Sequence, residues 1–222
     1  MLTAAAVCPH PPLLVPDLAA GAASELDAVR AQCRAAVDAL SPYDVLYVVG
    51  ADIGQHATSF APWGVDVAVD VPEPLPLAVL VGAWLTSGRR RSFVAVDPAL
   101  DASECAALGA ELAASADAVA LLVMGDGSAR HDPKAPGYVD PRAPLFDEDV
   151  RTFFAARDWD ALRGLDPALA DDLLVAGRAP WQVLAGAATE AEAGAATPAA
   201  EPTFAAPYGV GYHVAAWTWP RT

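Results

Sequence analysis

Basic charge is scarce in this sequence: 13 lysines and arginines stand against 28 aspartates and glutamates, for a formal net charge of −15. That balance repels a phosphate backbone and an anionic membrane surface over most of the protein, which argues against nucleic acid and membrane as partners. Lysine is nearly absent, whereas alanine, arginine, aspartate and proline dominate, a bias without functional content. Cysteine is scarce too. Cys8, Cys33 and Cys105 are odd in number, far apart and form no CxxC pair, so neither a disulfide framework nor a zinc knuckle is indicated and a reducing cytoplasm fits. No apolar run approaches the ~20 uninterrupted residues of a membrane span. The start, MLTAAAVCPHPP, lacks a basic leader and its apolar stretch is too short for a signal, so it reads as a first strand.

What is present is apolar: 55% hydrophobic residues against 18% charged, over 222 residues without a mid-chain linker. This composition predicts one globular domain spanning 1–222. Strand-like runs at Leu2 to Cys8, Val45 to Val49, Val65 to Val69, Ser92 to Val96, Val119 to Met124 and Val210 to Trp217 alternate with helical patterns at Ser24 to Leu40, Leu77 to Ser87 and Asp101 to Ala114. Ser24 is a candidate cap for the first of these helices. Further helices are expected over Phe146 to Ala156, Asp166 to Val175 and Ala179 to Ala188. Asp147, Glu148 and Asp149 read as first-turn acids favouring the helix start. The segment 189–202, almost all Ala, Glu, Gly, Thr and Pro, is expected to be a mobile surface loop. The predicted fold class is α/β, a three-layer α/β/α sandwich around a mainly parallel central sheet.

Chemistry concentrates where the strands end. Val119 to Met124, an unbroken apolar run suited to a strand covered on both faces, stops at Gly125, Asp126, Gly127 and Ser128, with Arg130, His131 and Tyr138 following. Gly125 and Gly127 allow backbone conformations barred to other residues. The alternative is a plain turn in which the aspartate caps the next segment. Cys8 is followed by His10, held between Pro9 and Pro11. Rigid neighbours lower the entropy lost when the imidazole is used, which suits a metal ligand or a base. Val45 to Val49 runs into GADIGQHATSFAPWG, with Asp52 and His56; a capping aspartate and an exposed loop histidine are the bland readings there. His213, inside the last strand, reads as a packed, hydrogen-bonded residue outside the site.

CPHPPLLVP at Cys8 to Pro16, GDGSARHDPKAPGYVDP at Gly125 to Pro141 with FD at Phe146, and PYGVGYHVAAW at Pro207 to Trp217 together resemble, in order and spacing, the class III extradiol dioxygenases of the LigB-subunit type and their Memo-like relatives. The resemblance implies an α/β sandwich, often a homodimer, holding non-haem Fe(II) through two histidines and a carboxylate, with open positions for a catechol-type substrate and dioxygen. Zn(II), or no metal, is the alternative occupancy. Carried over by position, the metal residues are His10, Asp52 and His56, with Asp171 or Asp172 as a further carboxylate. His131, Asp126 and Ser128 are the catalytic candidates, and Tyr138 and Arg130 the substrate-binding ones. The chain departs from the family pattern twice: Asp52 stands where a histidine is usual, and Ala129 where the acid–base histidine follows Ser. The resemblance therefore implies a degenerate ring-cleaving oxidoreductase. A non-catalytic small-molecule or protein-binding member of the fold, or a metal-dependent hydrolase, are the alternatives.

Overall fold

A computed structural model describes residues 1–191 and 196–220. Its centre is a six-stranded sheet built from β1 (Leu2–Cys8), β2 (Val45–Ala51), β5 (Ser92–Val96), β6 (Val119–Met124), β7 (Thr197–Ala205) and β8 (Tyr212–Thr218), in the order β5-β2-β6-β1-β8-β7. The first four in this order are mutually parallel, while β8 runs antiparallel to β1 and β7 antiparallel to β8. A short hairpin of β3 (His56–Ala57) and β4 (Leu75–Pro76) lies apart from this sheet. The α/β sandwich expected from the sequence is the fold observed.

The strands alternate between two cores. In β6, Val119, Leu121 and Val123 point to one face, Ala120, Leu122 and Met124 to the other, and all six are buried. Covering both faces is what turns such a strand into a continuous apolar run. One face is closed by α2 (Asp27–Asp38) and α3 (Leu77–Leu85), behind a short α1 (Pro16–Ala19). The other carries α4 (Ala102–Ala114), α5 (Ala143–Ala156), α6 (Trp159–Arg163), α7 (Pro167–Asp172) and α8 (Arg178–Glu190). Asp101 starts α4 with a reciprocal capping box to Glu104. The chain thus leaves β1 toward one face and β6, its neighbour, toward the other, which makes their carboxyl ends a topological switch point of the kind where α/β sheets bind ligands.

Four expectations are corrected. Val65 to Val69 does not enter the sheet: Phe60 N–H donates to Val67 O and Val69 N–H to Thr58 O, so the segment spends its hydrogen bonds on a local loop. The helix expected from Ser24 starts at Asp27, after a 3-10 stretch over Ala20–Leu26 and without a side-chain cap. The buried Arg30 guanidinium claims the Ala23, Leu13 and Leu14 carbonyls and holds this turn out of the α-helical ladder. The expected loop 189–202 instead carries the end of α8 and most of β7; residues 192–195 of it lie outside the described residues. Pro198 and Pro202 are tolerated because β7 is an edge strand with two irregularities in its register. Lastly, Asp147 is no solvated first-turn acid, since it is completely buried.

Candidate functional site

Register brings the predicted residues to one level. Cys8 is opposite Met124, and Met124 opposite Gly50, so His10, Asp126 and Asp52 each lie two residues beyond matched positions on β1, β6 and β2. On the other side of β1, Val7 opposes Ala215, which sets Tyr212 and His213 just past the strand end.

His10 and Asp126 meet at this switch point. The His10 N–H donates to Asp126 Oδ1 at 2.8 Å, and His10 Nδ1 stands 3.6 Å from the same oxygen, too far for a hydrogen bond. That nitrogen is buried and has no hydrogen-bond partner among the described residues. Burial pushes the Asp126 carboxyl above its ordinary range, against the opposing pull of His10 and its N–H. Burial and the nearby Asp126 charge likewise push the Tyr212 phenol upward. At Asp126 desolvation outweighs the pull of His10 and His213, a condition common in groups held for proton transfer or ligand binding.

Deeper in, Asp147 ties three segments together. It accepts hydrogen bonds from His131 Nε2 at 2.6 Å, His213 Nε2 at 2.8 Å and the Ser128 N–H at 3.1 Å. Burial pushes this carboxyl up, but the two histidine hydrogen bonds outweigh it and hold it below the ordinary range. The glycines around it serve this contact. A Cβ on Gly127 would come within 2.1 Å of Asp147 Oδ1, and one on Gly211 within 2.7 Å of Oδ2. Neither Gly125 nor Gly127 has a positive φ, so the expected conformational role is corrected to one of space. The signal for Asp147 was present in the sequence: Ala143, Phe146, Val150 and Phe154 form the buried stripe of α5, and Asp147 is on that stripe. His213 is packed and hydrogen-bonded as expected, yet its partner makes it part of this cluster.

The remaining candidates separate. Ser128 is fully enclosed; its hydroxyl donates to Leu173 O and accepts from the Arg130 N–H, fixing the turn. His131 is committed to Asp147 and lies against the Phe204 ring. Tyr138 is 74% exposed in a left-handed conformation, and Arg130 Nε is buried without a partner. Asp52 and His56 pair with each other at 2.6 Å on the surface, both more than two-fifths exposed. Asp172 pairs with Arg142 across the surface.

An iron site fits this arrangement poorly. Among the described residues no three His, Cys, Asp or Glu side chains are grouped to hold a metal ion. His10 faces Asp126, whereas Asp52 and His56 face each other, two strand positions from β1.

No protein-family model matches the chain, and no curated protein is detectably similar to it in sequence. Among solved structures it is similar to the uncharacterized protein JW3007 from Escherichia coli K12, with a TM-score of 0.53 and 14% identity over 96% of this chain and 99% of that one. At that identity the likeness shows the fold alone. No helix among the described residues is long and apolar enough to cross a membrane.

Proposed function

We propose that the protein is a divergent LigB-like member of the extradiol dioxygenase fold that binds a small hydroxyl-bearing molecule, such as a catechol, between the ends of β1 and β6. It handles the ligand's proton through His10 and Asp126 and does not perform iron-dependent ring cleavage. The observation that carries this reading is the His10–Asp126 pair: two titratable groups side by side at the carboxyl ends of adjacent parallel strands, one of them a desolvated carboxyl. A carboxyl raised by burial is a better base than an ordinary one once ionised, and donates a hydrogen bond while protonated. The order of the PHPP, GDGS and GYH motifs supports the family resemblance. The substitutions at Asp52 and Ala129, with the Asp52–His56 pairing, favour the non-ferrous form of it.

The test joins ligand and metal. Saturation-transfer NMR with catechol and 4-methylcatechol is run on the wild type and on His10→Asn, Asp126→Asn and Asp52→Asn. Transfer should vanish in the first two variants and persist in the third. Anaerobic Fe(II) loading followed by metal analysis should show no ion dependent on His10. About one such ion per chain, with oxygen uptake on adding catechol, would restore the ring-cleaving reading. Unchanged transfer in His10→Asn and Asp126→Asn would remove the ends of β1 and β6 from the function.

A further inference from the structure

A concavity of about 420 Å³ opens beyond the carboxyl end of β2 against the start of α8, within the size range of small-molecule sites. Its walls are mainly apolar, with Ile53, Leu174, Val175 and Ala179 among them. Ile53 and Leu174 belong to the few large hydrophobic side chains left exposed, at 40% and 46%. Leu174 is held outward in a left-handed conformation (φ 56°), which a leucine adopts only at a cost.

Two charged residues line it, the exposed Asp171 and Arg178, which is 4% exposed. The Arg178 guanidinium donates to Leu100 O at 2.6 Å, to Gln182 Oε1 at 3.0 Å and to Pro98 O. Those acceptors are neutral, and no carboxylate of the described residues forms an ion pair with it. The other buried ions differ: Arg30 has Asp27 at 2.8 Å, and Asp147 has two histidines. A buried cation without a counter-ion is costly, and it stands out in a chain of net charge −15. Three hydrogen bonds also leave part of its five-donor fork unused. Among the described residues the N–H groups of Arg178 and Ala179, which open α8, have no backbone acceptor outside the helix either, and they add positive potential on the same side.

We infer that this concavity binds a small organic monocarboxylate with an apolar body, the carboxylate neutralising Arg178 and the body lying on Ile53, Leu174 and Val175. The inference uses none of the residues of the His10–Asp126 reading and stands or falls without it. Asp171, on the rim, works against an anion, so the site discriminates against dianions.

The experiment is isothermal titration of the full chain with 3-phenylpropanoate and with its neutral amide, 3-phenylpropanamide. The acid should bind saturably and at least about tenfold more tightly than the amide. Asp171→Asn should tighten the acid, and Arg178→Gln should erase the difference between acid and amide. Because Arg178 also anchors the Pro98 to Leu100 turn, Ala176→Trp provides a filling variant that leaves the guanidinium in place; it should abolish binding of both probes. No saturable binding of the acid up to about 10 mM, equal affinities for acid and amide, or undiminished binding by Ala176→Trp each overturns the inference.

Discussion

Replacing Asp147 by asparagine tests the central knot with almost no change in shape. In the wild type both carboxylate oxygens accept: Oδ2 from His131 and Ser128, Oδ1 from His213. Asparagine keeps one acceptor and turns the other position into a donor, which must then face an imidazole N–H. Relief requires one histidine to move its proton to Nδ1. His213 can do so only by placing an N–H at a buried nitrogen with no partner, so His131 must yield. Two charge-assisted hydrogen bonds, each contributing about 1.5–3 kcal/mol, become one neutral bond and one rearranged contact, for a loss of about 3 kcal/mol. For a chain of this size that lowers the melting temperature by about 6–12 °C, measured by far-ultraviolet circular dichroism at pH 7. The Asp147 carboxyl lies below its ordinary range in the folded protein. Its contribution is therefore complete above the unfolded value, about 3.9, and is lost as pH falls through the folded one. The gap between wild type and variant should hold from neutral pH to about pH 4 and close below it. A loss under about 1 kcal/mol at pH 7, or a gap indifferent to acid, would refute the reasoning.

Asp126 should behave oppositely. Its folded carboxyl is raised, so ionisation opposes folding as pH rises from the unfolded value through the folded one. Asp126→Asn, which keeps the acceptor for the His10 N–H, should raise the melting temperature at pH 7 while losing the ligand. The gain should shrink as the buffer is made acidic, and thermal scans at pH 7 and pH 4.5 decide it. Gly127→Ala pushes a methyl to 2.1 Å from Asp147 Oδ1 and should cost about 1–3 kcal/mol by overpacking, read from urea unfolding. Asp101→Ala removes the capping box of α4 and should cost about 1 kcal/mol without altering ligand binding, which makes it the control for a purely structural loss.

The parts of the fold that were legible are those whose burial is local. β1, β2 and β6 are apolar runs because parallel strands between helices are covered on both faces, whereas β5, at the sheet edge, is only partly covered and is marked by its β-branched and aromatic residues before Pro98. β7 escaped because of its composition: Thr197–Ala205 is poor in strand formers and becomes a strand only by pairing with β8, the strand that follows it. Val65 to Val69 failed the other way, with strand-like residues whose backbone bonds go to the neighbouring Thr58–Phe60 segment.

The same division runs through the site. His10 and Asp126 could be picked out because strand ends are visible in sequence, and the register of β1 against β6 then makes them neighbours. Asp147 could not be placed by local spacing of charges, because its partners lie 16 and 66 residues away. Within an Asp-Glu-Asp run it resembles a helix-start acid until the α5 stripe is considered. The buried Asp147 and the largely enclosed Asp126 also answer opposite physical demands. Asp147 has three donors and a lowered pKa, so its charge holds the loop after β6 against α5 and β8. Asp126 has one backbone donor, an unbonded imidazole nitrogen beside it and a raised pKa, so its charge opposes folding despite the His10 N–H bond. On the reading proposed above, a ligand supplies the partner that Asp126 lacks, and for that reason the ends of β1 and β6, rather than the better-bonded Asp147 cluster, are the candidate site.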